Sequence, residues 1–317
     1  MNSVGASDED LSILKKKVLE IYGPEHEQRE PVRNPHEATV ILENRYKLLV
    51  DERLVRLVYA AFSIGRPVLF EGPPGTGKTD IGEALLSLWS GREPFILPAS
   101  PDYDEYKVIG DFHPLIAMKV GFNEESFVPR PLLAAMLLDA GVLIDDVRRS
   151  NEDFQNMLLD IIDKRRIVVP ELRRIVRAEG VGFQVILTSN PDDNGQGQLS
   201  DAFLRRVVRV RFDYPPPEQE RKIIIKKMAE KPPVAGSLID MAIRVVNTLR
   251  GLDTISHKPG VDATVSWIRL AQSMAMVEGS GAVSAKHLLE SARSVLIKVP
   301  DDESAVMDVL EKVFGRP

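Results

Sequence analysis

The 317-residue chain contains no cysteine. That excludes a disulfide scaffold, thiolate zinc sites and a cysteine nucleophile, and it fits a reducing compartment. It lacks a basic excess as well: the formal net charge is −6, with Lys and Arg spread along the chain. Phosphate-backbone binding relies on clustered cations, so the balance argues against a nucleic-acid partner while leaving room for a local basic channel. A membrane-spanning run is missing. The most apolar stretch, "PLLAAMLLDAGVLIDD", is broken by Asp139 and falls short of the ~20 residues a spanning helix needs. The start, "MNSVGASDEDLS", has neither the basic beginning nor the apolar centre of a signal peptide. The five histidines never fall at metal-ligand spacing. A soluble cytoplasmic protein is the expectation.

What is there is ordinary globular composition, 44% apolar and 28% charged, in a length suited to one sizeable domain and a smaller one. Residues 8–22 carry an apolar helical stripe, and "GPEHEQREPVRNPHE" after them reads as a polar linker, so 1–40 is expected to be an extension. "DERLVRLVYAAFSIG" reads as a helix entered at Asp51 and closed by Gly65. Short apolar runs follow at "RPVLFEG", "VLIDD", "FQVILTSN" and "VVRVRFDY", separated by helical patterns such as "SNEDFQNMLLDIIDKRR". Apolar strands alternating with helices indicate a parallel sheet covered on both faces. After residue 216 only helical patterns remain. The expected layout is an α/β domain at 41–216 and a smaller all-α domain at 217–317.

One of those strands leads into "GPPGTGKT", residues Gly72, Pro73, Pro74, Gly75, Thr76, Gly77, Lys78 and Thr79. This is the phosphate-binding loop pattern in the strand–helix context it requires. Its glycines let the backbone curl so that successive N–H groups face one concavity, and the following helix adds its positive end. Lys78 is placed to reach the β- and γ-phosphates of ATP, and the Thr79 hydroxyl to ligate Mg²⁺. Such a cradle demands a carboxylate for the Mg²⁺ shell and a group that orients or deprotonates water. Asp145 and Asp146, closing the strand "VLIDD", meet that demand: Asp145 for the metal, mostly through water, and Asp146 for the attacking water. Asn190, closing "LTSN", is either a turn residue before Pro191 or an amide that orients the water. Arg205 and Arg206 in "LSDAFLRRV" are either a solvated pair or an arginine finger reaching a neighbour's nucleotide in a ring. Trp89 and Trp267 read as core anchors, "KKK" at 15–17 as a solvated helix face, and Tyr46, Leu48 and Leu49 as candidates to wall the adenine.

The order of phosphate loop, acid pair, asparagine and arginine resembles that of AAA+ ATPases. Three further segments resemble the MoxR group: "DFHPLIAMKVGFNEESFVPRPLL" its helix-2 insert, "VVPELRRIVRAEGVGF" a hairpin before the asparagine strand, and "TSNPDDNGQGQLSDAFLRRV". "LSDAFLRRV", "DYPPPEQER" and "KPGVDATVSW" are similar to its CoxD-like branch, and the resemblance covers roughly residues 45–275. It implies a parallel AAA+ sheet with a helical lid, and an ATP-driven, chaperone-like homo-hexameric ring. It also implies a partner with a von Willebrand factor A domain and a client molybdenum hydroxylase of the carbon monoxide dehydrogenase kind, during metal-centre assembly. In the same resemblance Gly72, Gly75, Thr76, Gly77, Lys78 and Thr79 take the phosphate-loop positions. Asp145 takes the first acid and Asn190 the sensor; Arg206 takes the finger, with Arg205 its neighbouring candidate.

Two residues depart from the family pattern. The second acid, normally Glu, is Asp146, which retracts its carboxylate by about 1.5 Å. A displacement of that size can lower a rate ~10²-fold. In the lid, "PGVDATV" places Thr264 where the family commonly has an arginine. Two other function classes follow: an ATP-gated scaffold that hydrolyses slowly or not at all, and a nucleic-acid motor using "AMKVG" and "ELRRIVR" as pore loops.

Overall fold

The computed structural model describes residues 8–23, 28–191, 197–228 and 232–315. In chain order the helices and strands are α1 (Asp8–Tyr22), α2 (Pro35–Asn44), α3 (Glu52–Ser63), β1 (Val68–Glu71), α4 (Lys78–Ser90) and β2 (Phe95–Pro98). There follow α5 (Glu105–Val108), β3 (Gly110–Phe112), α6 (Pro114–Val120), β4 (Phe127–Pro129), α7 (Pro131–Leu138) and β5 (Val142–Asp145). Next come α8 (Glu152–Lys164), β6 (Arg166–Val169), β7 (Arg174–Arg177), β8 (Val185–Ser189), α9 (Asp201–Leu204) and β9 (Val208–Arg211). The last five helices are α10 (Pro217–Lys227), α11 (Gly236–Arg250), α12 (Val261–Val277), α13 (Ala285–Leu296) and α14 (Glu303–Phe314). Contacts divide the chain into two units, one running to Glu71 and over Lys78–Arg211, the other Gly72–Gly77 with everything from Phe212 onward.

The first unit is built on a five-stranded sheet in the order β2-β5-β8-β1-β9. Every pairing is parallel, with Phe95 opposite Val142, Val142 opposite Val185, and Val68 opposite both Ile186 and Val208. Alternation along the strands creates two apolar faces. Leu69, Val142, Ile144, Val185 and Leu187 point into a core shared with α7, α8 and α1. Phe70, Leu143 and Ile186 point the other way, against α4, where a Cβ on Gly82 would lie 2.8 Å from Leu143. A helix can approach the sheet this closely only through a residue without a side chain. Both faces are therefore covered, as the continuous apolar runs require.

Four of the five strands are the ones expected from the sequence; β2 is the addition. "FILP" is a short edge strand with alternate residues exposed and a terminal proline, so it lacks the buried-run signature. The helices start where their caps predict, Asp51 accepting from Arg53 N and Asn151 from Phe154 N. The hairpin also forms, β6 and β7 pairing antiparallel with Arg166 opposite Arg177.

One expectation is overturned. The lysines at 15–17 are not a uniformly solvated face. Lys17 donates to the carbonyls of Glu125 (2.5 Å), Phe127 (2.7 Å) and Glu124 (3.3 Å), and burial holds its ammonium below the usual lysine range. Lys15 pairs with Glu179 at 2.9 Å. A lysine stem can cross apolar surface and deliver its charge to backbone acceptors, which charge counting does not register. In the same helix Leu14 and Val18 enter the first unit's core. Part of the expected linker (24–27) and of the loop after Asn190 (192–196) lies outside the described residues.

The second unit holds α10–α14 around their own core, which includes Ile239, Val246, Ile268, Leu288 and Leu310. Trp267 is fully buried there and donates its indole N–H to Leu288 O at 2.8 Å. Trp89 has the same role in the first unit, packed on Tyr59 and Phe62 and bonded to Val181 O at 2.7 Å. Both tryptophans are core anchors.

Candidate nucleotide-binding site

The phosphate loop leaves the buried end of β1 and enters α4 at Lys78, itself only 8% exposed. Gly75 and Gly77 have φ of +70° and +86°, a region L side chains rarely adopt. These two positions curl the loop, and the Thr76 hydroxyl braces it by donating to Pro73 O at 3.0 Å. A Cβ at Gly75 would come within 1.8 Å of an Asp262 carboxylate oxygen, so steric room as well as φ demands glycine. Pro73 and Pro74 lie in the loop, Pro74 exposed.

Asp145, at the end of β5, is half-buried and accepts two hydroxyl hydrogen bonds on one oxygen. Thr79 Oγ1 donates at 2.8 Å and Thr188 Oγ1, from β8, at 2.6 Å. Thr188 Oγ1 in turn accepts the backbone N–H of Asp146 at 2.8 Å. Thr79 and Asp145, distant in sequence, therefore meet as expected. Thr188 joins them without a sequence signal beyond its place near the end of a strand. Among the described residues Asp145 forms no ion pair, so its charge is met by neutral donors alone.

Asp146 sits in the left-handed region, φ 54° and ψ 52°, and its carboxylate lies 3.1 Å from Arg149. Short polar side chains tolerate that backbone better than longer ones. The local conformation thus offers a reason for aspartate at this position. Asn190 follows β8, and its Oδ1 is buried without a hydrogen-bond partner. A native structure rarely leaves such an atom orphaned, and one at the end of β8, the strand paired with β5, is a place for a ligand or an ordered water.

Behind these groups lies a charge cluster not anticipated from the sequence. Glu71, the last residue of β1, is 3% exposed; its Oε2 accepts from Arg209 Nε at 2.7 Å, and its Oε1 lies 3.5 Å from Arg148 Nη2. Arg148 Nε donates to Ser189 Oγ at 2.6 Å. One guanidinium thus links the ends of β1 and β8, two residues beyond Asp146 and one before Asn190. The only hint was a carboxylate closing an apolar strand in "VLFEG".

The structure separates the two arginine candidates. Arg206 is engaged within its own chain, Nε to Asp163 at 2.6 Å and Nη1 to Ala202 O at 2.8 Å. Arg205 is exposed, and its side chain has no partner among the described residues. Thr264, in α12, is fully buried and donates to Glu220, so its position is occupied by a core contact. Tyr46 lies after α2 with Arg45 over its ring, followed by a buried Leu48; an adenine wall there remains an expectation.

The donor set suits a hard divalent cation. A threonine hydroxyl and an aspartate carboxylate 2.8 Å apart are oxygen ligands of the kind Mg²⁺ takes, with room in its shell for water and phosphate. No described helix is long and apolar enough to cross a membrane.

Comparison with known proteins bears on the domain and the fold. Residues 67–207 match the family described as AAA domain (dynein-related subfamily). Protein CbbQ of Hydrogenophilus thermoluteolus is 26% identical over 64% of this chain and 73% of its own length. The denitrification regulatory protein NirQ of Stutzerimonas stutzeri is 24% identical over 82% of this chain and 89% of its own. YehL of Escherichia coli (strain K12) is 26% identical over 50% of this chain, and the match spans 45% of YehL. Among solved structures, a point variant of Thermotoga maritima RuvB shares the fold, with a TM-score of 0.51 at 15% identity over 84% of this chain and 78% of that one.

Proposed function

Starting from an AAA domain of the dynein-related subfamily at residues 67–207, we propose that this chain is a Mg-ATP-dependent remodelling ATPase of the MoxR type. The observation that carries the reading is the meeting of Thr79, Asp145 and Thr188 at the end of the sheet, beside the orphaned Oδ1 of Asn190. The hydroxyls meet the Asp145 carboxylate without cancelling its charge, and the Asn190 oxygen is left with no donor.

In this reading the phosphate loop binds the ATP phosphates through its N–H groups, and Lys78 neutralises charge on the β- and γ-oxygens. Thr79 and Asp145 would hold Mg²⁺, which supplies further neutralisation of the triphosphate. Asp146 accepts the proton of the attacking water as its oxygen bonds to the γ-phosphorus and the bond to the β-bridging oxygen breaks, leaving ADP and phosphate. Asn190 Oδ1 orients that water by accepting a hydrogen bond from its other O–H. Thr188 keeps the carboxylate of Asp145 and the backbone of Asp146 in fixed relation, which positional catalysis requires.

The finer parts of the proposal rest on resemblance and on one exposed side chain. Head-to-tail packing closes into a ring in which one subunit completes the next subunit's site. Arg205, exposed and with no side-chain partner among the described residues, suits a finger acting on a neighbour better than Arg206, which Asp163 already holds. The MoxR resemblance supports a hexamer and a von Willebrand A-domain partner. Its CoxD-like segments support a molybdenum hydroxylase as client, and the cysteine-free composition supports a cytoplasmic setting. NirQ, named as a denitrification regulatory protein, is a relative whose name points to control of a metabolic process.

The test is phosphate release from Mg-ATP by the full chain and by Lys78→Ala. Turnover that disappears in the variant supports the reading, and equal turnover in both rejects it. Slow hydrolysis is a second reading, favoured by the short Asp146 and its contact with Arg149.

A further inference from the structure

The phosphate loop and the start of α12 belong to the same unit and touch. Val261 donates its backbone N–H to Gly75 O at 3.0 Å. A Cβ on Gly260 would lie 2.7 Å from Gly75 Cα and 2.8 Å from Pro74 O, so the two backbones are in van der Waals contact. In a planar trans peptide the C=O and the following N–H point in opposite directions. Gripping the Gly75 carbonyl therefore fixes where the Thr76 N–H points, and that N–H is one of the donors a phosphate cradle needs.

The turn that does the gripping is itself held. Arg250, at the end of α11, donates Nε to Pro259 O at 2.8 Å. Its other two nitrogens bind Glu220 of α10 in a fork, at 2.8 and 3.0 Å. Thr264 of α12 donates to the same carboxylate at 3.0 Å, and the guanidinium lies 4.2 Å from the centre of the Tyr214 ring. A buried pair of this kind is weak evidence for net stability, because desolvation offsets most of the attraction. Its geometry is specific, however. The ion pair alone would be served by Nη1 and Nη2; Nε is spent on the backbone of the turn.

We infer that Arg250 is a positioning residue for nucleotide binding, acting through Pro259 and Val261 on the Gly75 peptide of the phosphate loop. The inference rests on the phosphate-loop reading above and adds the lid residue that holds the loop in its binding form. It also accounts for a lid without an arginine at position 264: the threonine there is part of the anchor, completing the hydrogen bonds of Glu220.

The test is calorimetric titration of the full chain with Mg-ATP, with thermal midpoints measured alongside. Val261→Pro removes the N–H at the first residue of α12, where proline is tolerated, and Gly260 before it is already extended at φ −79° and ψ −177°. Arg250→Lys keeps a cation for Glu220 but lacks the planar fork that also reaches Pro259. Each variant is expected to bind Mg-ATP roughly fivefold to tenfold more weakly, the loss of about one hydrogen bond. Arg221→Gln, which breaks the 2.9 Å pair with Asp240 elsewhere in the same unit, should bind like the unsubstituted chain. Should Val261→Pro not fold, Arg250→Lys decides. Unchanged affinity in the folded variants, or an equal loss in Arg221→Gln, overturns the inference. No binding by the unsubstituted chain overturns the phosphate-loop reading and this inference with it.

Discussion

Asp145 in the first unit and Glu220 in the second are both carboxylates drawn out of water, and they are met in opposite ways. Glu220 receives the fork of Arg250 and a threonine hydroxyl, so its charge is cancelled within the protein. Asp145 receives two hydroxyls, from Thr79 and Thr188, and no cation among the described residues. Hydroxyl donors satisfy lone pairs without neutralising charge, so Asp145 retains an appetite for a cation that Glu220 has lost. The difference teaches how to tell a carboxylate spent on the fold from one left to hold a metal ion: by the charge of its partners, not by burial. The same contrast divides the arginines, with Arg206 held by Asp163 and Arg205 without a side-chain partner among the described residues.

The arginines offer the largest expected effect. Arg205→Ala should lower turnover by about 10³-fold at concentrations where rings form, because a finger stabilises transition-state charge. Arg206→Ala should lower stability by no more than about 1 kcal/mol, the ordinary worth of a half-exposed pair. Steady-state phosphate release and thermal midpoints for both variants separate them, and the reverse pattern would break the comparison among cations.

Next come the carboxylates. Asp145→Asn should cut Mg-dependent turnover about 10²-fold, a size seen when a reacting group is misplaced. Its thermal midpoint should stay level or rise, since an uncompensated charge is removed. Glu220→Gln should do the reverse, leaving Arg250 buried beside a neutral amide and destabilising the fold by about 3 kcal/mol or more. In a protein of this size that lowers the midpoint by several degrees. Equal melting behaviour in the two variants would erase the distinction drawn here.

The smallest effect concerns Asp146. Asp146→Glu extends the carboxylate by about 1.5 Å and should raise turnover by roughly tenfold, within the range such displacements produce. The left-handed backbone at φ 54° should make the longer side chain less stable by about 1 kcal/mol. A gain in rate with a lower midpoint supports an attenuated site; a loss in both would show that Asp146 is already the right length for its backbone.

Much of this was legible in the sequence because it is local. The loop Gly72–Thr79 carries its own glycine spacing, and Asp145 and Asp146 end an apolar run; the hairpin of Arg166–Val169 and Arg174–Arg177 was expected only through the family resemblance. What escaped is pairing across long sequence separation. Thr188 reaches Asp145 from 43 residues away, and Arg250 reaches Glu220 from 30. Nothing in the residues around either one announces its partner. β2 escaped because an edge strand alternates and ends in proline, and Lys17 because a charged side chain was equated with solvation. Backbone handedness at Asp146 has no one-letter signature at all.

The central claim is that the Gly72–Thr79 stretch binds a triphosphate, with Thr79 and Asp145 the residues for its magnesium. Calorimetric titration of the full chain with ATP, run with Mg²⁺ and with EDTA, addresses it directly. The account predicts saturable heat near one nucleotide per chain, stronger with the metal present and lost in Lys78→Ala. Titrations that are flat under both conditions, or binding untouched by Lys78→Ala, would contradict it.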